Sequence, residues 1–285
     1  MVDPVLLAIS IASAALSLVA FLLWRRIDAV QRSRRAQHDL LYGLGWGETT
    51  TNNYGFAPSP LRSPERFQLQ MYAELRRLLE ARAPSGQIVR VLEISCGRGG
   101  GLAHLCATLP APVQAVGIDF SRVAIAFCSA HYAERKDLRF AVGDALALPF
   151  ADGSFDLVVN VEASNHFRHG EALFQEVTRV LRGGGAFLYA DSRIAHKLFH
   201  IRKALERAGL EGELLDVTQH VQLACEQDTP RRLQLVNEAL PWPARLLLGR
   251  RARSYAGVTG GRMYEKFRTR RRIYFMTCAL KRTRP

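Results

Sequence analysis

Between Ile88 and Ala190 short apolar runs alternate with amphipathic stretches, and this alternation restricts the fold more than any other feature of the chain. Ile88–Ile94 predicts a strand, followed by a glycine-rich turn and a helix near Gly101–Leu109. Ala115–Ile118 predicts a second strand, with a helix from Ser121 to about Arg135. Leu138–Val142 predicts a third strand, and Phe155–Val161 a fourth with a helix at Glu171–Leu181 behind it. Ala186–Ala190 predicts a fifth. Strands and helices in this alternation fold as an α/β domain, a parallel sheet with helices on both faces. Ligands of such open sheets sit beyond the carboxyl ends of the strands.

The chemistry begins at the end of the first strand, in Glu93-Ile-Ser-Cys-Gly-Arg-Gly-Gly-Gly101. Glycines there permit backbone conformations that a β-carbon forbids, and let a ligand approach the main chain. A P-loop needs a Gly-Lys-Ser/Thr ending, which is absent. Gly97, Gly99 and Gly100 also miss the G-x-G-x-x-G spacing of a dinucleotide fold. An acid just before the turn repels a pyrophosphate and suits a ligand with a cationic group. Asp119 ends the second strand, where a carboxylate can accept both hydroxyls of a ribose. Asp144-Ala145 follows the third, where an adenine amino group can be received. A nucleoside with a positively charged tail satisfies all three positions, and S-adenosylmethionine fits better than NAD.

At this point the sequence resembles class I methyltransferases. The resemblance runs from about Val91 to Ala190 and includes Gly143-Asp-Ala-Leu-Ala-Leu-Pro-Phe150. It continues through Asp152-Gly-Ser-Phe-Asp156 into strand four and Arg179-Val-Leu-Arg-Gly-Gly-Gly185 into strand five. It implies a Rossmann-like sheet and S-adenosylmethionine as cofactor. Leu92-Glu-Ile-Ser-Cys-Gly, Asn160-Val-Glu-Ala-Ser164 and Tyr189-Ala-Asp-Ser-Arg193 look like the phthiotriol/phenolphthiotriol dimycocerosate methyltransferase group. Tyr255-Ala-Gly-Val-Thr-Gly-Gly-Arg-Met-Tyr264 and Arg272-Ile-Tyr-Phe-Met276 are similar too, so the likeness covers roughly residues 42–282. That group O-methylates a hydroxyl on long, waxy lipids.

By this resemblance Glu93, Ser95, Gly97 and Gly99 would line the methionine part of the cofactor. Asp119 would hold the ribose, with Phe120 beside it, and Asp144 with Ala145 the adenine. Asn160 would close the pocket at the end of strand four, and Glu162 would face the acceptor. The group places a His directly after Glu-Ala-Ser; here Asn165 stands there and His166 follows. Transfer to an alcohol requires a proton to leave the attacking oxygen, and His is the usual base near neutral pH. His166 is the first candidate base and His169 the second, with His196 and His220 weaker. Asp191 would orient a base at the end of strand five or cap a helix before residues 194–208. No metal-ligand cluster is expected.

Outside this core two features bear on partners. Val5–Trp24 is a run of 20 residues without a charge, bounded by Asp3 and Arg25. A helix of that length spans about 30 Å, the hydrocarbon thickness of a bilayer. Arg25, Arg26, Arg32, Arg34 and Arg35 follow it, which by the positive-inside rule places the bulk of the chain in the cytosol. A signal peptide would carry its basic stretch before the apolar run. The expected organisation is an N-terminal transmembrane anchor with its basic flank at 1–35, a connector and helix (Glu65–Ala81) at 36–87, and a methyltransferase domain at 88–285. Within that domain, 195–248 is expected to form a helical cap broken by Pro230, Pro241 and Pro243. The five cysteines, at 96, 106, 128, 225 and 278, show no metal spacing and an odd count, which fits a reducing compartment.

The second feature is charge. The chain carries +13, and residues 231–285 hold 15 Lys/Arg against Glu238 and Glu265. Together with the anchor this favours anionic lipid headgroups over nucleic acid. The leading expectation is a membrane-anchored O-methyltransferase at a bacterial inner membrane, acting on a lipid-soluble hydroxylated acceptor. C-methylation of a terpenoid or sterol-like alkene and a membrane-tethered binding scaffold are the alternatives. Methylation of nucleobase amino groups usually shows Asp/Asn-Pro-Pro-Tyr/Phe after strand four, which Asn160-Val-Glu-Ala does not match.

Overall fold

A computed structural model describes residues 39, 42–44, 46–82, 88–110, 112–163 and 170–283 of the 285. The chain divides into two compact units, Met1–Gly43 and Leu44–Pro285. In the first, the Gly43 N–H donates to the Asp39 carbonyl at 2.9 Å. The run Val5–Trp24, read above as a membrane span, lies outside the described residues. Among the described residues no helix is long and apolar enough to cross a membrane.

The second unit is built on one sheet. Its strands are β1 (Arg90–Ile94), β2 (Gln114–Asp119), β3 (Leu138–Val142), β4 (Phe155–Val161), β5 (Leu181–Ile194), β6 (Leu210–Glu211), β7 (Leu215–Asp216) and β8 (Arg272–Lys281). They run in the order β3-β2-β1-β4-β5-β8-β6, with β7 also paired to β8. Strands β1 to β5 are parallel, as the alternation predicts. Strand β8 is antiparallel to β5, from Ala186 opposite Leu280 to Ile194 opposite Arg272. The sheet is therefore mixed, which corrects the all-parallel expectation. Ile273 to Ala279 is buried along its whole length, so β8 enters the interior of the sheet.

Side chains alternate across each strand, and here the alternation builds two cores. Val91, Leu157, Val159 and Val161 face one layer, formed by helices α1 (Arg66–Arg82), α2 (Gly100–Thr108), α6 (Thr218–Ala239) and α8 (Arg262–Arg268). Leu92, Ile94 and Val158 face the other, formed by α4 (Gly170–Val180) and α5 (Leu198–Arg207). Helix α1 shows why these segments are helical: Phe67, Met71, Leu75 and Leu79 recur every four residues and all are buried. Helix α3 (Arg122–His131) starts where the Ser121 hydroxyl accepts the Ala124 N–H at 3.3 Å. Helix α7 (Trp242–Tyr255) packs on α6 and α8.

The segment 195–248 is not a single helical cap. Helix α5 joins the α4 layer, β6 and β7 pair with β8, and α6 joins the opposite layer. Pro230 lies inside α6 without ending it. A proline removes one backbone donor, and here side chains brace the helix around it: Asp228 accepts from Arg231, Arg232 and Gln68. Pro241 and Pro243 stand at the start of α7, where a missing N–H costs nothing. Asp191 is not at a strand end either. Strand β5 continues to Ile194, and Asp191 is buried within it at 3.1 Å from the Arg193 guanidinium, so it caps no helix.

Candidate active site

The strand order reverses between β1 and β4, which opens a crevice at their carboxyl ends. The turn leaving β1 is left-handed at Ser95 (φ 58°), Gly97 (φ 55°) and Gly99 (φ 79°). It is also tightly packed. A β-carbon at Gly101 would fall 1.8 Å from Tyr72 Cζ, so this glycine is what lets α1 close against the turn.

The contact serves Glu93. Its Oε1 accepts the Tyr72 hydroxyl at 2.7 Å. Burial pushes the Glu93 carboxyl up to about 8, against the lowering effect of that bond. Glu93 Oε2 is buried and has no donor among the described residues. The same holds for Asn160 Oδ1, while Asn160 Nδ2 donates to the Ile94 carbonyl at 2.9 Å. Two buried acceptors without donors, at the ends of adjacent strands, match a ligand that brings an ammonium group. By this criterion the site fits the aminoacyl end of S-adenosylmethionine.

Asp119 is buried at the end of β2 and binds the glycine turn directly. Its Oδ2 accepts the Gly97 N–H at 3.0 Å and its Oδ1 the Ser121 N–H at 2.9 Å. These bonds fix the carboxylate at the strand end, beside the glycine turn. Phe120, next to it, is half-buried. Asp144 is exposed beyond β3, with Oδ1 accepting the Leu146 N–H at 2.9 Å, and Ala145 is buried beside it.

Glu162 follows β4 in a left-handed conformation (φ 56°), sparsely populated for a residue with a side chain. Its Oε1 accepts the Tyr54 N–H at 2.6 Å and the Tyr274 hydroxyl at 2.8 Å. Burial pushes this carboxyl up to about 8 as well, and the two bonds oppose the shift. The Tyr255 hydroxyl accepts Asn52 Nδ2 at 2.9 Å. Tyr255 is 41% exposed as a whole; desolvation around its hydroxyl pushes that group up, and the Glu162 and Asp119 charges add to the effect. His166 and His169 lie outside the described residues, as does Asn165. His196 is exposed on a short 3-10 turn. His220 is structural: its ring stacks on Phe56 at 4.3 Å, and Nδ1 lies 2.7 Å from the Ala57 carbonyl oxygen. Among the described residues no group of three His, Cys, Asp or Glu can hold a metal.

Sequence reasoning missed the strap at residues 46–57, read above as part of a connector. Thr50 and Thr51 both donate backbone and hydroxyl protons to the Glu65 carboxylate. The Thr50 carbonyl accepts the Gly100 N–H at 3.1 Å, which ties the strap to the glycine turn. Arg232, buried on α6, holds its other end by donating to the Tyr54 carbonyl at 2.7 Å. Gly55 was the available signal. A β-carbon there would sit 2.8 Å from Phe67 Cβ, and a lone glycine between two aromatics marks such a close approach.

Comparisons with known proteins agree with this geometry. The family described as "Methyltransferase domain" matches residues 92–189. The chain is 34% identical over 227 residues to the "Probable phthiotriol/phenolphthiotriol dimycocerosates methyltransferase 2" of Mycobacterium ulcerans, covering 76% of this chain and 84% of that one. It is 34% identical to the fatty-acid O-methyltransferase of Mycolicibacterium smegmatis over 63% of each chain. Among solved structures, the cyclase SpnF superposes with a TM-score of 0.65 at 19% identity, covering 87% of this chain and 94% of that one. That likeness shows the fold alone. The chain is an S-adenosylmethionine-dependent methyltransferase and belongs to the phthiotriol/phenolphthiotriol dimycocerosates methyltransferase family.

Proposed function

We propose that the enzyme O-methylates a hydroxyl on a lipid-soluble acceptor, and that Glu162 takes the hydroxyl proton. The observation that carries this is the Glu162 carboxyl. It is held at Oε1 by the Tyr54 N–H and the Tyr274 hydroxyl. A carboxyl raised to about 8 is a competent base at neutral to mildly alkaline pH. The acceptor class is supported by the names of the two relatives, one for phthiotriol lipids and one for fatty acids.

When bound, S-adenosylmethionine supplies a methyl group on a sulfonium, which departs as a neutral thioether. Glu93 and Asn160 would hold its aminoacyl tail, together with the turn at Ser95, Gly97 and Gly99. Asp119 with Phe120 would hold the ribose, and Asp144 with Ala145 the adenine. The two bonds to Glu162 Oε1 fix the carboxyl and stabilise its anion, so that Oε2 can receive the proton. Tyr54 and the strap enclose the acceptor side, where alignment and exclusion of water supply much of the acceleration.

His166 and His169 are the alternative bases. Glu162→Gln is expected to bind cofactor normally and to slow transfer to an alcohol roughly a hundredfold or more. Unchanged transfer in that variant, with a loss in His166→Ala, would move the base to the histidine. A carboxylate acceptor is the second reading, favoured by the fatty-acid relative. It has no proton to lose, so Glu162→Gln would then retain activity on a fatty acid. The run Val5–Trp24 would anchor the enzyme as a single pass, with its catalytic part on the cytosolic side of a bacterial inner membrane.

A further inference from the structure

Helix α7 turns large apolar side chains and arginines toward solvent together. Trp242 is 68% exposed and Leu246 76%. Arg245, Arg250, Arg251 and Arg253 are exposed on the same helix, which contains no acidic residue. At about 100° per residue, Trp242, Leu246 and Arg253 share one face, and Arg245 and Arg250 border it on opposite sides. An exposed Trp and Leu bordered by arginines is the composition of a helix that lies in a membrane interface. Three positive charges on or beside this face, with no acidic residue on the helix, commit the partner to an anionic lipid surface.

The far end of α7 belongs to the site. Tyr255 is bonded there to Asn52 on the strap, two residues from Tyr54. Lipid contact along α7 would bring a bilayer within one helix length, about 20 Å, of the acceptor side. We infer that α7 is an interfacial helix that docks the enzyme on an anionic bilayer surface, beside the entrance for a lipid-soluble acceptor. The docking stands on residues separate from the N-terminal apolar run and goes beyond the methyl-transfer reading.

The test uses the full chain with Trp24→Phe and Trp46→Phe, which leaves Trp242 as the sole tryptophan. The protein is reconstituted in vesicles of neutral phosphatidylcholine, or of the same lipid with phosphatidylglycerol, each carrying brominated acyl chains. Trp242 emission is expected to shift to the blue and to be quenched in the anionic vesicles. Each Arg→Gln at 245, 250 or 253 is expected to lower the docked-to-undocked ratio about fivefold, and Arg251→Gln, on the opposite side of the helix, to change it less. Leu246→Asp, at an exposed position, is expected to keep its circular dichroism and lose the quenching. Solvent-like, unquenched emission in anionic vesicles would overturn the inference. So would equal quenching in neutral and anionic vesicles. A blue shift that depends on protein concentration in detergent would assign the face to a second copy of the chain instead. Methyl transfer is not the readout, so a failure here leaves the acceptor reading untouched.

Discussion

Glu93 couples cofactor binding to a proton. With its carboxyl raised to about 8 by burial, it is mostly neutral at pH 7 in the free protein. An ammonium brought beside Oε2 favours the anion. Binding of S-adenosylmethionine at pH 7 is therefore expected to release up to about one proton. Calorimetry in two buffers of different ionisation enthalpy reads this directly. Glu93→Gln should abolish the release and weaken binding about tenfold or more; wild-type binding without proton release would contradict the role. Glu162 gives a second expectation at the same scale. Transfer to an alcohol should rise with pH through about 8, and Glu162→Gln should flatten that limb. Glu93 and Asp119 could be picked out in the sequence because each stands at the end of an apolar run that reads as a strand, and Asn160 and Glu162 through the family resemblance. Their partners could not. Tyr54 meets Glu162 from 108 residues away and Tyr274 from 112 residues away. No local pattern encodes such contacts, and the raised carboxyls depend on them.

Among the elements, the strap and α6 carry the clearest energetic consequence. Arg232 is buried and bonds Asp228, the Tyr54 carbonyl and the Ala256 carbonyl, joining α6, the strap and the end of α7. Arg232→Met should cost about 3 kcal/mol, read as a lower urea midpoint. That is the low end for a broken buried pair, because Arg231 and Gln68 still serve Asp228. A midpoint within error of wild type would show that the strap is held elsewhere. Strands β1 to β4 were readable because their apolar runs are short and separated by turn residues. Strand β8 was not counted as a strand, although its run is apolar. It lies beyond α5 to α8 in sequence, and its antiparallel place beside β5 is a tertiary choice. Pro230 misled for a related reason: a proline signals a break locally, while the Asp228 cluster that spans it includes Gln68 from α1.

On the scale of the whole molecule, Glu93 and Glu162 make stability depend on pH in one direction. Both carboxyls lie above their ordinary value of 4.5, so the folded protein keeps protons that the unfolded chain gives up. Their contribution is complete below about pH 4.5 and is lost as the pH rises through about 8. Asp216 and Asp228 are held below their ordinary value by their hydrogen bonds and arginine neighbours, against the opposing effect of burial. Their contribution is lost only as the pH falls under about 4, outside this window. His104, held below its ordinary value by burial, works the other way in this window with a smaller shift, so the urea midpoint of the cofactor-free protein should still fall between about pH 5 and about pH 8, and saturating cofactor should reduce the fall. A midpoint that rises over this range would contradict the burial of both groups. The α/β fold as a whole was legible in the alternation of elements, and the antiparallel strand β8 and the strap were not.

The most direct test of the account is where the methyl group arrives. The full chain is incubated with S-adenosylmethionine carrying an isotope-labelled methyl and a long-chain diol in mixed micelles, and the product carbon is read by NMR. The account predicts a methoxy carbon that is strongly reduced with Glu162→Gln. A methyl bonded to carbon, or no transfer by a folded, cofactor-binding enzyme, would contradict it.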